Sequence, residues 1–190
     1  ENIAACIVEP VAGSTGTLVP PKGYLQRLRE ICDKHGILLI FDEVITGWGR
    51  TGSAFAAQEW KVTPDIMTMA KATTNGVVPM GVVAVKEEIY DSVLDASSAP
   101  EGTPELFHGY TYSGIPVAVA AALAVQDIFD KEDIFKRAKE MSPYFQDGLH
   151  SLKDLKEIVS IRGYGMMGGI EMKMKEKPGK AGFQTFKHCY

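Results

Sequence analysis

Two apolar runs of strand length, each ended by a charged residue, constrain the fold of this chain more than any other feature. The first run, Ile37 to Phe41, stops at Asp42-Glu43, and the second, Ile66 to Ala70, stops at Lys71. Short, continuous apolar runs are typical of strands that are buried in a parallel sheet. Ligands of open α/β sheets bind at the carboxyl ends of the strands, so Asp42 and Lys71 are predicted to share a site.

The segment before Asp42 predicts a β-α-β unit. The run from Ile3 to Val8 predicts a strand that is covered on both faces, and it ends at Glu9-Pro10. A helix is predicted to begin at Pro20-Pro21 and to stop at Gly36, because proline suits a first turn and glycine suits the position after a last turn. The two strands of such a unit run parallel, so Glu9 and Asp42 are expected at the same edge of the sheet.

The rest of the chain predicts more strands and helices and a change of domain. A shift in composition near Lys131 divides part of an α/β large domain with a mainly parallel sheet, residues 1–130, from the beginning of a small α+β domain, residues 131–190. The apolar stretch from Pro116 to Phe129 predicts a buried core helix. The other predicted elements are strands at Met80–Lys86, Ile158–Arg162 and Ile170–Met174, helices at Glu87–Ala96 and Glu132–Leu152, and loops at Ser97–Pro104 and His108–Pro116.

Composition excludes several classes of function. A net charge of −4 gives no reason to expect a nucleic acid or an anionic membrane as a partner. The longest apolar stretch is too short to cross a membrane. The three cysteines are widely spaced, which indicates free thiols in a reducing compartment such as the cytoplasm. No grouping of histidine, aspartate or glutamate has the spacing of metal ligands, so a metal site is not predicted.

Asp42 taken alone allows three interpretations. Carboxylates often follow strands simply as caps of the next turn. Four apolar residues before Asp42-Glu43 also match a Walker B motif, which would make the protein a P-loop ATPase. That motif requires a GxxxxGK[ST] loop, and the glycine-rich segment Gly13–Gly16 has no such lysine. The third interpretation is a catalytic acid, and the residue alone does not choose among the three.

Lys71 has an ordinary interpretation and a functional one. Most lysines are solvated surface residues. A lysine that is desolvated at the end of a buried strand would have a lowered pKa and could form an imine with a carbonyl group. A nearby carboxylate could then keep a pyridinium nitrogen protonated. Lys71 and Asp42 are therefore the two parts that a pyridoxal-phosphate site requires.

Three ordered blocks of sequence carry a resemblance to a known family. They are LLIFDEVITGWGRTG, PDIMTMAKATTNGVVPMGVVAV and HGYTYSGIP, which occupy residues 38–52, 64–85 and 108–116. Together they resemble successive signatures of the class III aminotransferases, which are pyridoxal-phosphate enzymes of fold type I. The spacing between Asp42 and Lys71 is also similar to that of the family. Within the family, the sequences of these blocks resemble most those of the ω-amino acid:pyruvate, or β-alanine:pyruvate, aminotransferases.

The resemblance implies a role for each of five residues. Lys71 would hold pyridoxal phosphate and act as general base and acid, and Asp42 would pair with the pyridine nitrogen of the cofactor. Val44 would pack against one face of the ring. Thr111 would offer its hydroxyl to the cofactor phosphate of a neighbouring subunit, which implies a homodimer or homotetramer with shared active sites. Glu9 would lie near substrate and ring at the edge of the site.

The resemblance also implies the reaction. The resemblance also places Ile45 at the cofactor, where family members that act on ornithine-like or dialkylglycine substrates have a glutamine that reaches the phenolic oxygen of the cofactor. An aliphatic residue there resembles the ω-amino acid and amine branch. The expected function is transfer of an amino group from an ω-amino acid or amine, such as β-alanine, to pyruvate. The alternatives are another class III activity, an aminomutase or a decarboxylase, and, from other classes, the P-loop ATPase or a non-catalytic fragment.

The ends of the chain predict an internal piece of a longer protein. The sequence starts at Glu1-Asn2 without an initiator methionine, and Thr185 to Tyr190 resembles the start of a helix. The family's main phosphate-binding loop, its stacking aromatic ring and its substrate-binding arginine would all lie outside these residues. We therefore expect the isolated 190-residue chain to be inactive on its own.

Overall fold

The computed structural model describes residues 2–96, 111–173 and 177–189. The predicted loop at Ser97–Pro104 and the first three residues of the HGYTYSGIP block lie outside the described residues. The described elements are, in chain order, β1 (Ala5–Val8), α1 (Tyr24–His35), β2 (Leu38–Asp42), α2 (Ala56–Glu59), β3 (Ile66–Met69), a 3₁₀ turn (Lys71–Thr73), β4 (Val82–Val85), α3 (Glu87–Ala96), α4 (Pro116–Lys131), α5 (Ile134–His150), β5 (Ile158–Tyr164), β6 (Met167–Met172) and α6 (Lys180–Cys189).

The first half of the chain forms a four-stranded sheet in the order β1-β2-β3-β4. The three strands β1, β2 and β3 run parallel, and β4 runs antiparallel to β3. Val8 is opposite Phe41, and Asp42 is opposite Thr68. The predicted β-α-β unit and the mainly parallel α/β sheet are therefore confirmed, and the register places the ends of the three parallel strands side by side.

Helix α1 covers one face of this sheet and forms the core with it. Leu25 and Cys32 of α1 pack against Leu39 and Phe41 of β2. The helix begins at Tyr24 and not at Pro20-Pro21 as predicted, because Gly23 has a φ of 83°, a left-handed conformation that a continuous helix does not allow. The predicted stop at Gly36 is confirmed, and the N–H of that glycine bonds to a carbonyl of the last turn.

The opposite face of the sheet is open in this chain. Strand β1 was predicted to be covered on both faces, but Ile7 is 62% exposed, so that prediction is wrong. Helix α4 was predicted to be buried, yet among its apolar side chains only Ala118 and Val125 are fully buried, and Leu123 is 63% exposed. Most apolar side chains of α4 therefore lie on a surface that the described residues do not cover.

A second, two-stranded sheet forms in the last third of the chain. Strands β5 and β6 pair in an antiparallel hairpin and are longer than predicted, because the glycine-rich segment between them continues the ladder up to Tyr164 and from Met167. Helix α5 packs on β5, and α6 begins at Lys180. The division near Lys131 falls between α4 and α5, which contact each other, and a domain boundary there remains a prediction.

One ion-pair cluster joins three elements of the large sheet. Asp65, directly before β3, is 8% exposed and pairs with Arg29 of α1 and with Lys86, which follows β4. It also accepts the backbone N–H of Leu39 in β2, with 2.7 Å between nitrogen and oxygen. Within the described ranges, the structure has no helix that is both long enough and apolar enough to cross a membrane.

Candidate functional site

Asp42 and Lys71 lie at the same edge of the sheet, as predicted. Asp42 is the last residue of β2 and is paired with Thr68 of the neighbouring strand. Strand β3 ends at Met69, and Lys71 opens the 3₁₀ turn two residues later. Because β2 and β3 run parallel, an acid and an amine are presented at their carboxyl ends. This is the position at which ligands of open α/β sheets bind.

The carboxylate of Asp42 is held in one orientation. Its Oδ1 accepts the backbone N–H of Val44 at 3.0 Å and the hydroxyl of Thr68 at 3.3 Å. Both hydrogen bonds described for this carboxylate go to Oδ1. A half-buried carboxylate anchored through one oxygen can present the other oxygen to a donor placed above the edge of the sheet.

Lys71 is exposed, so the prediction of a desolvated lysine is wrong for this chain. The physical reason is that β3 stops short of it, and the chain turns outward with a left-handed φ of 49° at Lys71 itself. The side chain borders an open cleft of about 580 Å³ whose walls include Thr74, Pro79 and Met80. The amine is thus accessible to a molecule that enters the cleft.

A hydrogen-bond relay connects the glycine-rich turn after Asp42 to the turn that carries Lys71. The indole Nε1 of Trp48 donates to Thr73 Oγ1 at 3.0 Å, and the Thr73 hydroxyl in turn donates to the carbonyl of Ala70 at 3.1 Å. Thr73 is only 2% exposed, so these bonds are shielded from water. The two loops that follow β2 and β3 are therefore fixed relative to each other.

Glu43 is a buried residue of the site region that the sequence analysis treated only as part of a possible Walker B motif. Its side chain is 0% exposed. It accepts the hydroxyl of Thr46 at 2.7 Å and the backbone N–H groups of Ala56 and Ala57 at 2.9 and 2.8 Å. Burial raises the pKa of Glu43, and these three hydrogen bonds oppose that shift. Glu43 therefore closes the glycine-rich turn onto α2 and is not available to a ligand.

Ile45 and Glu9 meet at the loop that follows β1. A Cβ added to Gly13 would lie 2.8 Å from Ile45 Cγ2, so the isoleucine packs directly on the backbone of this glycine. The N–H of Gly13 donates to Glu9 Oε2 at 2.9 Å. The structure thus brings Glu9 and Ile45 to one loop at the carboxyl edge, although no motif in the sequence links them.

Val44 and the segment before α4 border a second, apolar cleft. This cleft has a volume of about 590 Å³, and its walls include Val44, Thr68 and Ala70 on the sheet side and Ile115 and Ala118 on the helix side. Thr111 is exposed in the turn before α4 and is not among the residues that line the cleft. Its neighbour Tyr112 does line the cleft, so the turn that carries Thr111 lies beside it.

The fold and this edge define a class of protein. An open, mainly parallel sheet carries a fixed carboxylate and an accessible lysine at the carboxyl ends of neighbouring strands. In the part of the chain that the structure describes, no group of three or more histidine, cysteine, aspartate or glutamate side chains could hold a metal ion. The chain is thus an α/β protein whose candidate catalytic groups are the carboxylate of Asp42 and the amine of Lys71.

Comparison with known proteins identifies the family. The model of the aminotransferase class-III family matches residues 1–188. An omega-aminotransferase of Caulobacter vibrioides is 53% identical and a beta-alanine–pyruvate aminotransferase of Pseudomonas aeruginosa is 49% identical, each over 100% of this chain. The chain belongs to the class-III aminotransferase family. It spans 43% of the length of each of these two relatives.

Solved structures agree with this assignment. An (S)-enantioselective omega-transaminase from Thermomicrobium roseum has a TM-score of 0.83 and 41% identity, over 93% of this chain and 38% of that one. An ornithine aminotransferase from Plasmodium yoelii has a TM-score of 0.77 and 33% identity, over 89% of this chain and 43% of that one. These neighbours support the predicted fold type I, and the family match leaves no place for a P-loop ATPase.

Proposed function

We propose that the protein transfers an amino group from an ω-amino acid or amine, such as β-alanine, to pyruvate with pyridoxal phosphate as cofactor. One observation carries this proposal. In a chain of the class-III aminotransferase family, a fixed Asp42 and an accessible Lys71 lie at the same edge of the sheet. Relatives named as omega-aminotransferase and beta-alanine–pyruvate aminotransferase, at 53% and 49% identity, favour transamination over an aminomutase or a decarboxylase.

The residues present fit the proposed cofactor. Pyridoxal phosphate supplies an electron sink when its ring nitrogen is protonated. A carboxylate near that nitrogen stabilises the protonated form, and Asp42 has its Oδ1 anchored by Val44 and Thr68 with its Oδ2 directed to no described donor. We assign Asp42 to that nitrogen. Val44, in the wall of the apolar cleft, is assigned to one face of the ring.

Lys71 is assigned as the residue whose side-chain amine binds the cofactor. Its Nζ would hold the cofactor and would be the base that takes a proton from the substrate carbon. The relay from Trp48 through Thr73 holds the turn that carries Lys71 against the turn that follows Asp42. The turn that follows the acid and the turn that carries the amine are therefore held together.

We assign Ile45 and Glu9 to the part of the cofactor site that adjoins the substrate, and Thr111 to the cofactor site of a neighbouring subunit. Ile45 cannot hydrogen-bond, so it favours an apolar contact with the ligand at the point where it packs on Gly13. Glu9 is assigned to the edge near the substrate. Thr111, exposed in the turn before α4, is assigned to the cofactor phosphate of a second subunit in a homodimer or homotetramer. A cytoplasmic location is part of the same proposal.

Replacement of the lysine tests the proposed function. In a protein of the relatives' full length that contains this chain, we expect Lys71→Ala to lower the rate of alanine formation from pyruvate and β-alanine by roughly a thousandfold or more, because the proton transfer loses its base. The matched control is Lys61→Ala, which removes another exposed lysine at a left-handed position outside the site. Near-normal activity of Lys71→Ala, measured beside an active Lys61→Ala, would refute the assignment.

A further inference from the structure

Arg162 of the β5–β6 hairpin makes a long-range contact that the proposed function does not use. Its Nε donates to the carbonyl of Gly16 at 2.9 Å, across 146 residues of sequence. Its Nη1 donates to Ser160 Oγ at 3.0 Å and to Glu171 Oε2 at 2.9 Å. Two neighbours on the hairpin thus fix the guanidinium group through its Nη1, and its Nε binds the loop that follows β1.

The loop that Arg162 contacts is a tight unit. The N–H groups of Gly16 and Thr17 both donate to the carbonyl of Gly13, each at 3.0 Å. Ala12 and Leu18 close the loop with two backbone hydrogen bonds of 3.1 and 2.9 Å. A loop closed in this way moves as one body, so a shift at Gly16 is also a shift at Gly13.

The other side of the same loop touches two residues of the candidate site. The N–H of Gly13 holds Glu9 Oε2 at 2.9 Å, and Ile45 packs on Gly13 where a Cβ would otherwise lie. The backbone from Gly13 to Gly16 therefore connects Arg162 to Glu9 and Ile45.

The hairpin leaves the loop no room to move towards it. A Cβ added to Gly169 of β6 would lie 2.7 Å from the carbonyl oxygen of Gly16 and 3.3 Å from Thr17 Oγ1. Contacts this close are tolerated only because the residue is glycine. The position of the loop is thus set both by attraction to Arg162 and by contact with the backbone of β6.

We propose that Arg162 is a positioning residue for the substrate side of the site. It fixes the Gly13–Thr17 loop and, through it, Glu9 and Ile45, so that the hairpin sets how the amino donor binds. This inference rests on the proposed function, because it takes Glu9 and Ile45 as substrate contacts. The hydrogen bonds of Asp42 do not include this loop, so we expect replacement of Arg162 to change the binding of the cofactor less than the binding of the amino donor.

The test combines steady-state kinetics with amide hydrogen exchange on the protein. We expect Arg162→Met to raise the KM for β-alanine about tenfold while kcat and the dissociation constant for pyridoxal phosphate change less than twofold. Amide exchange in residues 10–20 should quicken, and exchange around Lys71 should stay the same. Gly169→Ala would push the loop away from the hairpin and should raise the same KM. Arg162→Lys, which keeps one donor for Gly16, should recover part of the loss.

Two controls and two contrary results complete the test. Glu171→Gln removes an ion pair and leaves the Gly16 contact, and Arg27→Met removes an exposed arginine, so both should keep KM within twofold. Unchanged KM and exchange in Arg162→Met and Gly169→Ala would overturn the proposal, as would an equal loss of cofactor affinity. The kinetic arm uses a protein of the relatives' full length that contains this chain. If that protein does not transaminate, the proposed function fails, and exchange in residues 10–20 alone decides whether Arg162 holds the loop.

Discussion

Asp65 is held as an anion by partners from three elements. Burial alone would raise the pKa of its carboxyl group, but hydrogen bonds from Lys86, the Leu39 N–H and Arg29 outweigh that effect and lower the pKa to about 2. The ordinary value is 3.8. The folded state therefore binds the proton of Asp65 more weakly than the unfolded state does, which links the stability of the sheet to pH.

We expect Asp65→Asn to lower the free energy of unfolding by about 2 kcal/mol at neutral pH. The contribution of Asp65 is complete above the unfolded pKa of 3.8 and is lost as the pH falls towards about 2. The difference between the two proteins should therefore close over this window, as urea unfolding at a series of pH values will show. Asp33→Asn is the matched control, since Asp33 also pairs with Arg29 but is 64% exposed, and it should cost well under about 1 kcal/mol. A pH-independent difference for Asp65→Asn would contradict this account.

At the scale of elements, the β5–β6 hairpin is joined to the glycine-rich turn of the site region. The Tyr164 hydroxyl donates to Glu59 at 2.6 Å, and the Trp60 and Tyr164 rings lie 4.7 Å apart. Burial, together with the hydrogen bond to Glu59, raises the pKa of Tyr164 to about 12. The N–H of Met166, at the tip of the hairpin, donates to the carbonyl of Arg50 at 2.8 Å. The hairpin thus rests on residues 50–60.

Gly165 makes this docking possible, and its replacement should weaken it. It has a φ of 59°, and a Cβ there would lie 2.8 Å from the Thr51 Cα and even closer to the Arg50 carbonyl. We expect Gly165→Ala to cost about 1–3 kcal/mol or more of stability, from strain and overlap together. Gly148→Ala is the control, because that helical glycine has nothing near its Cβ position, and it should stabilise by about 0.5–1 kcal/mol. If the two variants shift the midpoint temperature of thermal unfolding in the same direction, the proposed contact between Gly165 and residues 50–51 is contradicted.

The elements show where sequence reasoning succeeded and where it stopped. The pattern of apolar runs predicted β2, β3 and the edge that Asp42 and Lys71 share, because side-chain period and strand direction are local properties. The start of α1 was missed because a left-handed glycine overrode the two prolines. The contact of Arg162 with Gly16 and the burial of Glu43 depend on which elements meet in space. No local pattern carries that information.

On the scale of the whole molecule, one face of the large sheet is apolar and open. Ile7, Val83 and Val85 of the sheet and Leu123 of α4 are all exposed apolar side chains. Contiguous exposed apolar surface marks an interface more often than an ordinary surface. Asp42 and Thr68 lie on the same side of the sheet as Ile7 and Val83, by the register of the strands. A surface that covers this face, from the same polypeptide or from a second subunit, would adjoin the candidate site.

The central claim is that Lys71 is the residue that binds the cofactor. The most direct measurement is to incubate the protein with pyridoxal phosphate, fix any bond to an amine with borohydride, and locate the modified lysine by mass spectrometry of the digested peptides. We predict one predominant modification, at Lys71, that disappears in Lys71→Ala without moving elsewhere. Modification spread over exposed lysines such as Lys61, or unchanged in Lys71→Ala, would contradict the account.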